Sequence, residues 1–102
     1  TLLDSTGRVG HHTSVTIGTD GLGIIAYKDD GNGNLKVAHC SNTNCTAATT
    51  IAIDTGGVVG DMSQITIGTD GLGLISYSDM TNLDLKVAHC ANQFCSPYLR
   101  RR

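Results

Sequence analysis

Glutamate and tryptophan do not occur in this 102-residue chain, phenylalanine occurs once and tyrosine three times. Without Glu, all nine acidic side chains are Asp, a residue of turns rather than helices. The lack of Glu, of an internal arginine cluster and of a Ser-His-Asp signature argues against a glycosidase or hydrolase. The shortage of aromatic rings removes the usual stacking platforms of a sugar site. No run approaches the roughly 18 apolar residues needed to cross a bilayer, and no stretch carries an apolar face at helical spacing. Apolar residues make up 39 % of the chain, which is low for an independent core in one domain of this length.

What is abundant is Gly, Asn, Asp and Thr, the chemistry of turns and strands, so the chain is expected to be all-β. Net charge is −2, and three of the seven basic residues are the terminal Arg100, Arg101 and Arg102. The body is therefore more acidic than the total, which argues against a nucleic-acid partner. The Arg run reads as a solvated tail. A start at Thr1, without Met or a signal peptide, reads as a processed product or an excerpt of a longer protein.

The dominant pattern is repetition. Thr16 to Gly23 returns unaltered as Thr66 to Gly73, and Leu35 to Cys40 returns as Leu85 to Cys90. The offset is 50 residues throughout, and roughly half of the aligned positions are identical. Units of this size bury their apolar faces by stacking on one another. Two units are expected, 1–50 and 51–102, with the N-terminal strand of the first belonging to a neighbouring blade.

Each unit reads as four short strands. Ser14 to Ile17 alternates, with Val15 and Ile17 on one face, and Thr19-Asp20-Gly21 makes a tight turn. Ile24 to Tyr27 is apolar on both faces. Asp29 to Asn34 is a turn, Leu35 to Cys40 a third strand, and Thr49 to Ile53 a fourth. Four hairpin-linked strands per unit are the content of a β-propeller blade.

Ser63 to Cys90, with Leu74-Ile-Ser-Tyr-Ser-Asp79 followed by Asn82-Leu-Asp-Leu-Lys86, resembles the blade repeats of bacterial and archaeal secreted or surface β-propellers. The resemblance covers nearly all of both units and implies a blade, not an activity. Two blades cannot form a ring, and the second unit carries basic residues where its fourth strand should run. Ring closure by self-association is therefore expected. Three chains giving six blades is favoured, as in the architecturally similar small trimeric lectins, with a homotetramer of eight blades as the alternative. The faces expected to be buried that way carry Val15, Ile17, Ile25 and Val37, and their counterparts Ile65, Ile67, Ile75 and Val87.

Cys40 and Cys45 flank the loop between the third and fourth strands, and Cys90 and Cys95 repeat the spacing. Two disulfides are the first reading, which would place the protein outside the cell, at the cell surface or in the periplasm. Free thiols and a metal site that includes His39 are the alternatives. Alternation turns His39 and Cys40 to opposite faces, against the metal. His39 and His89 read as structural side chains hydrogen-bonded between blades, and Asp20, Asp70, Asp29 and Asp79 as acceptors for local backbone N–H groups.

Places where the units differ are the candidates for ligand binding: Arg8, His11, His12 and Asp61, in the segments that enter the first strand of each unit. No metal, cofactor or catalytic residue is expected. The reading is a non-catalytic binding or interaction module whose ligand is a glycan or a protein. A structural segment of a larger propeller is the alternative, and a glycosidase-like enzyme ranks last. If both cysteine pairs are bridged, titration of unreduced protein finds no free thiol, and reduction costs about 2 kcal/mol of stability per small loop. Four reactive thiols or stoichiometric zinc would contradict the bridged reading.

Overall fold

A computed structural model describes residues 3–4, 9–95 and 98–101, with the backbone alone at 9–12 and 98–101. The chain is all-β among these residues. Its strands are β1 (Val9–Ile17), β2 (Gly23–Asp29), β3 (Asn34–Cys40), β4 (Ala48–Asp54), β5 (Val59–Ile67), β6 (Gly73–Asp79), β7 (Asp84–Cys90) and β8 (Tyr98–Arg101). They form two antiparallel sheets of four strands, in the orders β1-β2-β3-β4 and β5-β6-β7-β8. The second unit, expected to lack a good fourth strand and to end in a solvated Arg run, has one: β8, four residues against the seven of β4, in which the backbone of Arg100 and Arg101 pairs with Ala88 and Val87.

Local chemistry sets the hairpins. Between β1 and β2, Gly18 N–H donates to Leu22 O at 2.8 Å and Gly21 N–H to Gly18 O at 3.0 Å. The Asp20 carboxylate accepts from Leu22 N–H at 3.0 Å, and Asp70 does the same for Leu72. At the β2–β3 turn Asp29 accepts from Asn32, and at the β6–β7 turn Asp79 accepts from Thr81 and Asn82. β1 and β5 are irregular at matching places, between His11 and Ser14 and between Asp61 and Gln64, so even the bulge is repeated.

Both cysteine pairs are disulfides, Cys40–Cys45 and Cys90–Cys95, with Cα atoms 4.8 and 4.2 Å apart. Each staples the loop from third to fourth strand. Cys45 and Cys95 take the left-handed backbone conformation there, which non-glycine residues seldom adopt.

The two sheets pack face to face. Register decides which residues meet. In the first sheet Ala26 and Val37 are cross-strand partners, and with Ile24 and Leu35 they form the face turned to the second sheet. In the second sheet Ile65, Ile75 and Ala88 are in register across β5, β6 and β7 and supply the opposing face. The expected set of bare apolar residues therefore needs correction: Val37, Ile65 and Ile75 are core. The exposed ones are Val15 and Ile17 on the outer face of the first sheet, and Leu74 and Leu85 on the outer face of the second. Alternation is the cause, because a one-residue step along a strand changes the face.

β5 lies against β1, β2 and β3. Its first residues dock on the β2–β3 hairpin, where Val59 N–H donates to Gly33 O at 2.9 Å. Gly60 sits at the closest approach with φ +94°, and a Cβ there would lie 3.1 Å from Leu35 Cα and 3.3 Å from Asn34 O. Both obstacles are backbone. Gly60→Ala is expected to cost about 2–3 kcal/mol in urea unfolding. Gly21→Ala (φ +80°, with nothing within 4 Å of the added carbon) should cost less, isolating the collision from the backbone strain.

Candidate functional site

Three polar residues recur at the 50-residue offset and meet in space. Tyr77 and Lys86 are cross-strand partners on β6 and β7, so their side chains share a face. Asp54 reaches them from the end of β4, a strand of the other sheet. Tyr77 Oη donates to Asp54 Oδ2 at 2.7 Å, and Lys86 Nζ lies 3.0 Å from the same oxygen. Lys86 Nζ is also 3.4 Å from Asp79 Oδ2. Asp54 and Asp79 are fully buried and Lys86 nearly so.

One ammonium thus stands between two buried carboxylates. Such a group is tolerable only when the remaining lone pairs find donors. Gly56 N–H supplies one to Asp54 at 2.9 Å, and Thr81 and Asn82 supply them to Asp79. Burial by itself pushes the Asp54 carboxyl up, but the Gly56 amide, the Tyr77 hydroxyl and the Lys86 ammonium together hold it below its ordinary range. Asp79 is held low by the Asn82 donors, against burial, with further help from Lys86.

The first unit builds the same group from Asp4, Tyr27 and Lys36. Tyr27 Oη donates to Asp4 Oδ2 at 2.7 Å and Lys36 Nζ lies 2.6 Å from that oxygen. Burial, and then the carboxylate of Asp4, push the Tyr27 hydroxyl well up. These triads were missed in the sequence, although Asp4 and Asp54, Tyr27 and Tyr77, and Lys36 and Lys86 are all identical pairs.

His39 Nε2 is 2.7 Å from Asp20 Oδ2, and His89 Nε2 is 2.6 Å from Asp70 Oδ2. A carboxylate only accepts, so Nε2 carries the proton in each. The Leu22 and Leu72 amides, with the facing imidazoles, hold both carboxyls low. The expectation of a His bond between blades is corrected here, since each pair joins two elements of one sheet. What His39 meets across the sheets is the Phe94 ring, which stands edge-on to it with centroids 4.4 Å apart.

Of the ligand-binding candidates, Arg8 lies outside the described residues, as do the side chains of His11 and His12. The β1 backbone places His11 opposite Lys28 in register. Asp61 comes to the same lysine from β5: its carboxylate pairs with Lys28 Nζ, which is also 3.6 Å from Asp30. Asp61 thus bridges the sheets from β5 to Lys28, the residue that the β1 backbone sets opposite His11. Among the described residues no three His, Cys, Asp or Glu side chains gather as metal ligands, and no helix is long and apolar enough to cross a membrane.

Against known proteins, the chain matches no family model, no curated protein and no solved structure.

The geometry predicts acid sensitivity. A carboxyl whose pKa is lower folded than unfolded stabilises above its unfolded value, about 3.9, and that stabilisation is lost as pH falls through the folded value. Asp20, Asp54, Asp70 and Asp79 all have this sign. Urea midpoints should be steady from pH 7 to about 4 and fall steeply below it. Lys86→Met, which leaves two buried carboxylates facing each other, should cost about 3–5 kcal/mol at pH 7 and much less at pH 3. A loss equal at both pH values would show that Lys86 acts through packing alone.

Proposed function

We propose that the two sheets are two blades of a β-propeller, and that the chain is a non-catalytic interaction module acting outside the cell, at its surface or in the periplasm. Support for the blades comes from two meanders of identical strand order, stacked face to face, with corresponding residues on corresponding faces. The two disulfides are compatible with an oxidising compartment. Three chains would close six blades, and four would close eight.

The observation that carries the non-catalytic reading is where the repeated ionisable groups point. A glycosidase pair needs two carboxyl groups held about 5–9 Å apart across an open site. Here Asp54 and Asp79 share one buried ammonium, while Asp20 and Asp70 each take a turn amide and an imidazole. They hold hairpins and sheets together. Of the nine exposed large hydrophobic side chains among the described residues, eight are aliphatic or thioether, Met62, Met80 and Leu83 among them, and one, Phe94, is aromatic and stands against His39. That composition suits a protein surface better than a sugar ring. Repetition of the module in a ring would add avidity to weak single contacts.

A panel of chromogenic glycosides and a printed glycan array test the reading together. No turnover is expected. Binding on the array without turnover would support the module with a glycan ligand, and a silent array would leave the protein ligand. Hydrolysis that follows the protein through purification, and is lost in unfolded samples, would overturn the proposal.

A further inference from the structure

The outer faces of the two sheets are not alike. Each sheet has two faces, and the repeat lets equivalent faces be compared. The face of the second sheet that packs inward carries Ile65, 7 % exposed, whereas its counterpart in the first sheet, Val15, is 63 % exposed. The face of the first sheet that packs inward carries Leu35, fully buried, whereas its counterpart Leu85 is 72 % exposed. The chain therefore contains one complete sheet-to-sheet joint and the two separate halves of a second one.

We infer that these halves are partners: the outer face of the second sheet receives the outer face of the first sheet of a second copy of this chain, head to tail. This rests on the self-association in the propeller reading above, and adds which surface meets which. The template is the internal joint. Val15, Ile17 and Ile25 would occupy the places that Ile65, Ile67 and Ile75 occupy inside the chain. On the receiving side a shallow depression of about 250 Å³, lined by residues that include Gln64, Leu74, Ser76 and Val87, corresponds to the filled contact around Ser14, Ile24, Ala26 and Val37.

The differences between repeats fall on both sides of this joint at once. Inside the chain Lys28 pairs with Asp61. At the outer joint, Ser78 stands at the Lys28 position and His11 at the Asp61 position, since His11 is opposite Lys28 in β1 as Asp61 is opposite Ser78 in β5. Both members of the ion pair have changed together. Likewise Ser14 Oγ accepts from Ile65 N–H at 3.2 Å across the internal joint, and Gln64, which also carries an acceptor, stands at the Ser14 position. Replacement on both sides is what a shared contact would select. Head-to-tail contact has no symmetry axis within the joint, so it propagates until it closes on itself.

Two variants test the joint, each placing a charge at a side chain that is exposed in the single chain and so is not needed for folding. Val15→Asp disables the outer face of the first sheet, and Leu85→Asp that of the second. Circular dichroism and the absence of free thiols check that both fold. By light scattering, wild-type protein should be oligomeric and each variant a monomer. An equimolar mixture should form a one-to-one heterodimer, because one live face remains on each. If either variant still dimerises with itself, like faces pair and the inference is wrong. A mixture that stays monomeric, or wild-type protein that is monomeric at tens of micromolar, overturns it too. Wild-type assemblies of unbounded mass, with the heterodimer still forming, would keep the joint and remove the closed ring.

Discussion

A buried ammonium between two buried carboxylates holds the architecture in place. Lys86 lies between Asp54 and Asp79, and Asp54 belongs to a strand of the other sheet. Losing water from three charged groups is unfavourable, and the geometry offsets it with a tyrosine hydroxyl and several backbone N–H donors. No buried side-chain nitrogen or oxygen among the described residues lacks a partner. An apolar pair could have filled the same volume, but it would not have specified which strand end enters which sheet. With so few large apolar side chains, this polar group ties the end of β4 to β6 and β7 of the other sheet.

The remainder of the stabilisation is local and repetitive. Turn aspartates pin the hairpins, and each disulfide closes the loop that leads to an outer strand. These devices act within one sheet. What joins sheet to sheet is aliphatic contact along β5, the Asp61 bridge to Lys28, and the Phe94 edge on His39. The order of strength is thus a stiff sheet and a joint that depends on face-to-face fit.

Much of the architecture was legible in the sequence. The 50-residue offset and the alternation of Val15 with Ile17 lead to four strands per unit, and the strands fall where turn chemistry leaves room for them. The cysteine spacing leads to both bridges. Which face of each strand is buried was not legible, because Val15 and Ile65 are equivalent by sequence and differ only in having a neighbour. The same holds for His39, whose partner Asp20 lies in its own sheet: sequence shows that both recur, but not how far a hairpin brings them together. The triads were within reach, since an Asp, a Tyr and a Lys kept in both units of a chain otherwise half diverged are candidates for one shared task. Arg8, His11 and His12 stand out for the opposite reason, as differences between the units, and at Asp61 such a difference is an ion pair with Lys28.

Asp54 also puts the inherited repeat and the folded sheet out of phase. Sequence units change over near residue 50, but β4 continues to Asp54 and pairs with β3, while its last side chain already serves the second sheet. Asp4 stands in the same relation to the first sheet. A fragment cut at the sequence boundary would therefore lose the inner half of an outer strand along with the carboxylate that locks the following sheet. A cut after Asp54 would keep the strand whole and still separate the lock from its tyrosine and lysine. No single cut leaves a whole fourth strand in the first fragment and a complete lock in the second.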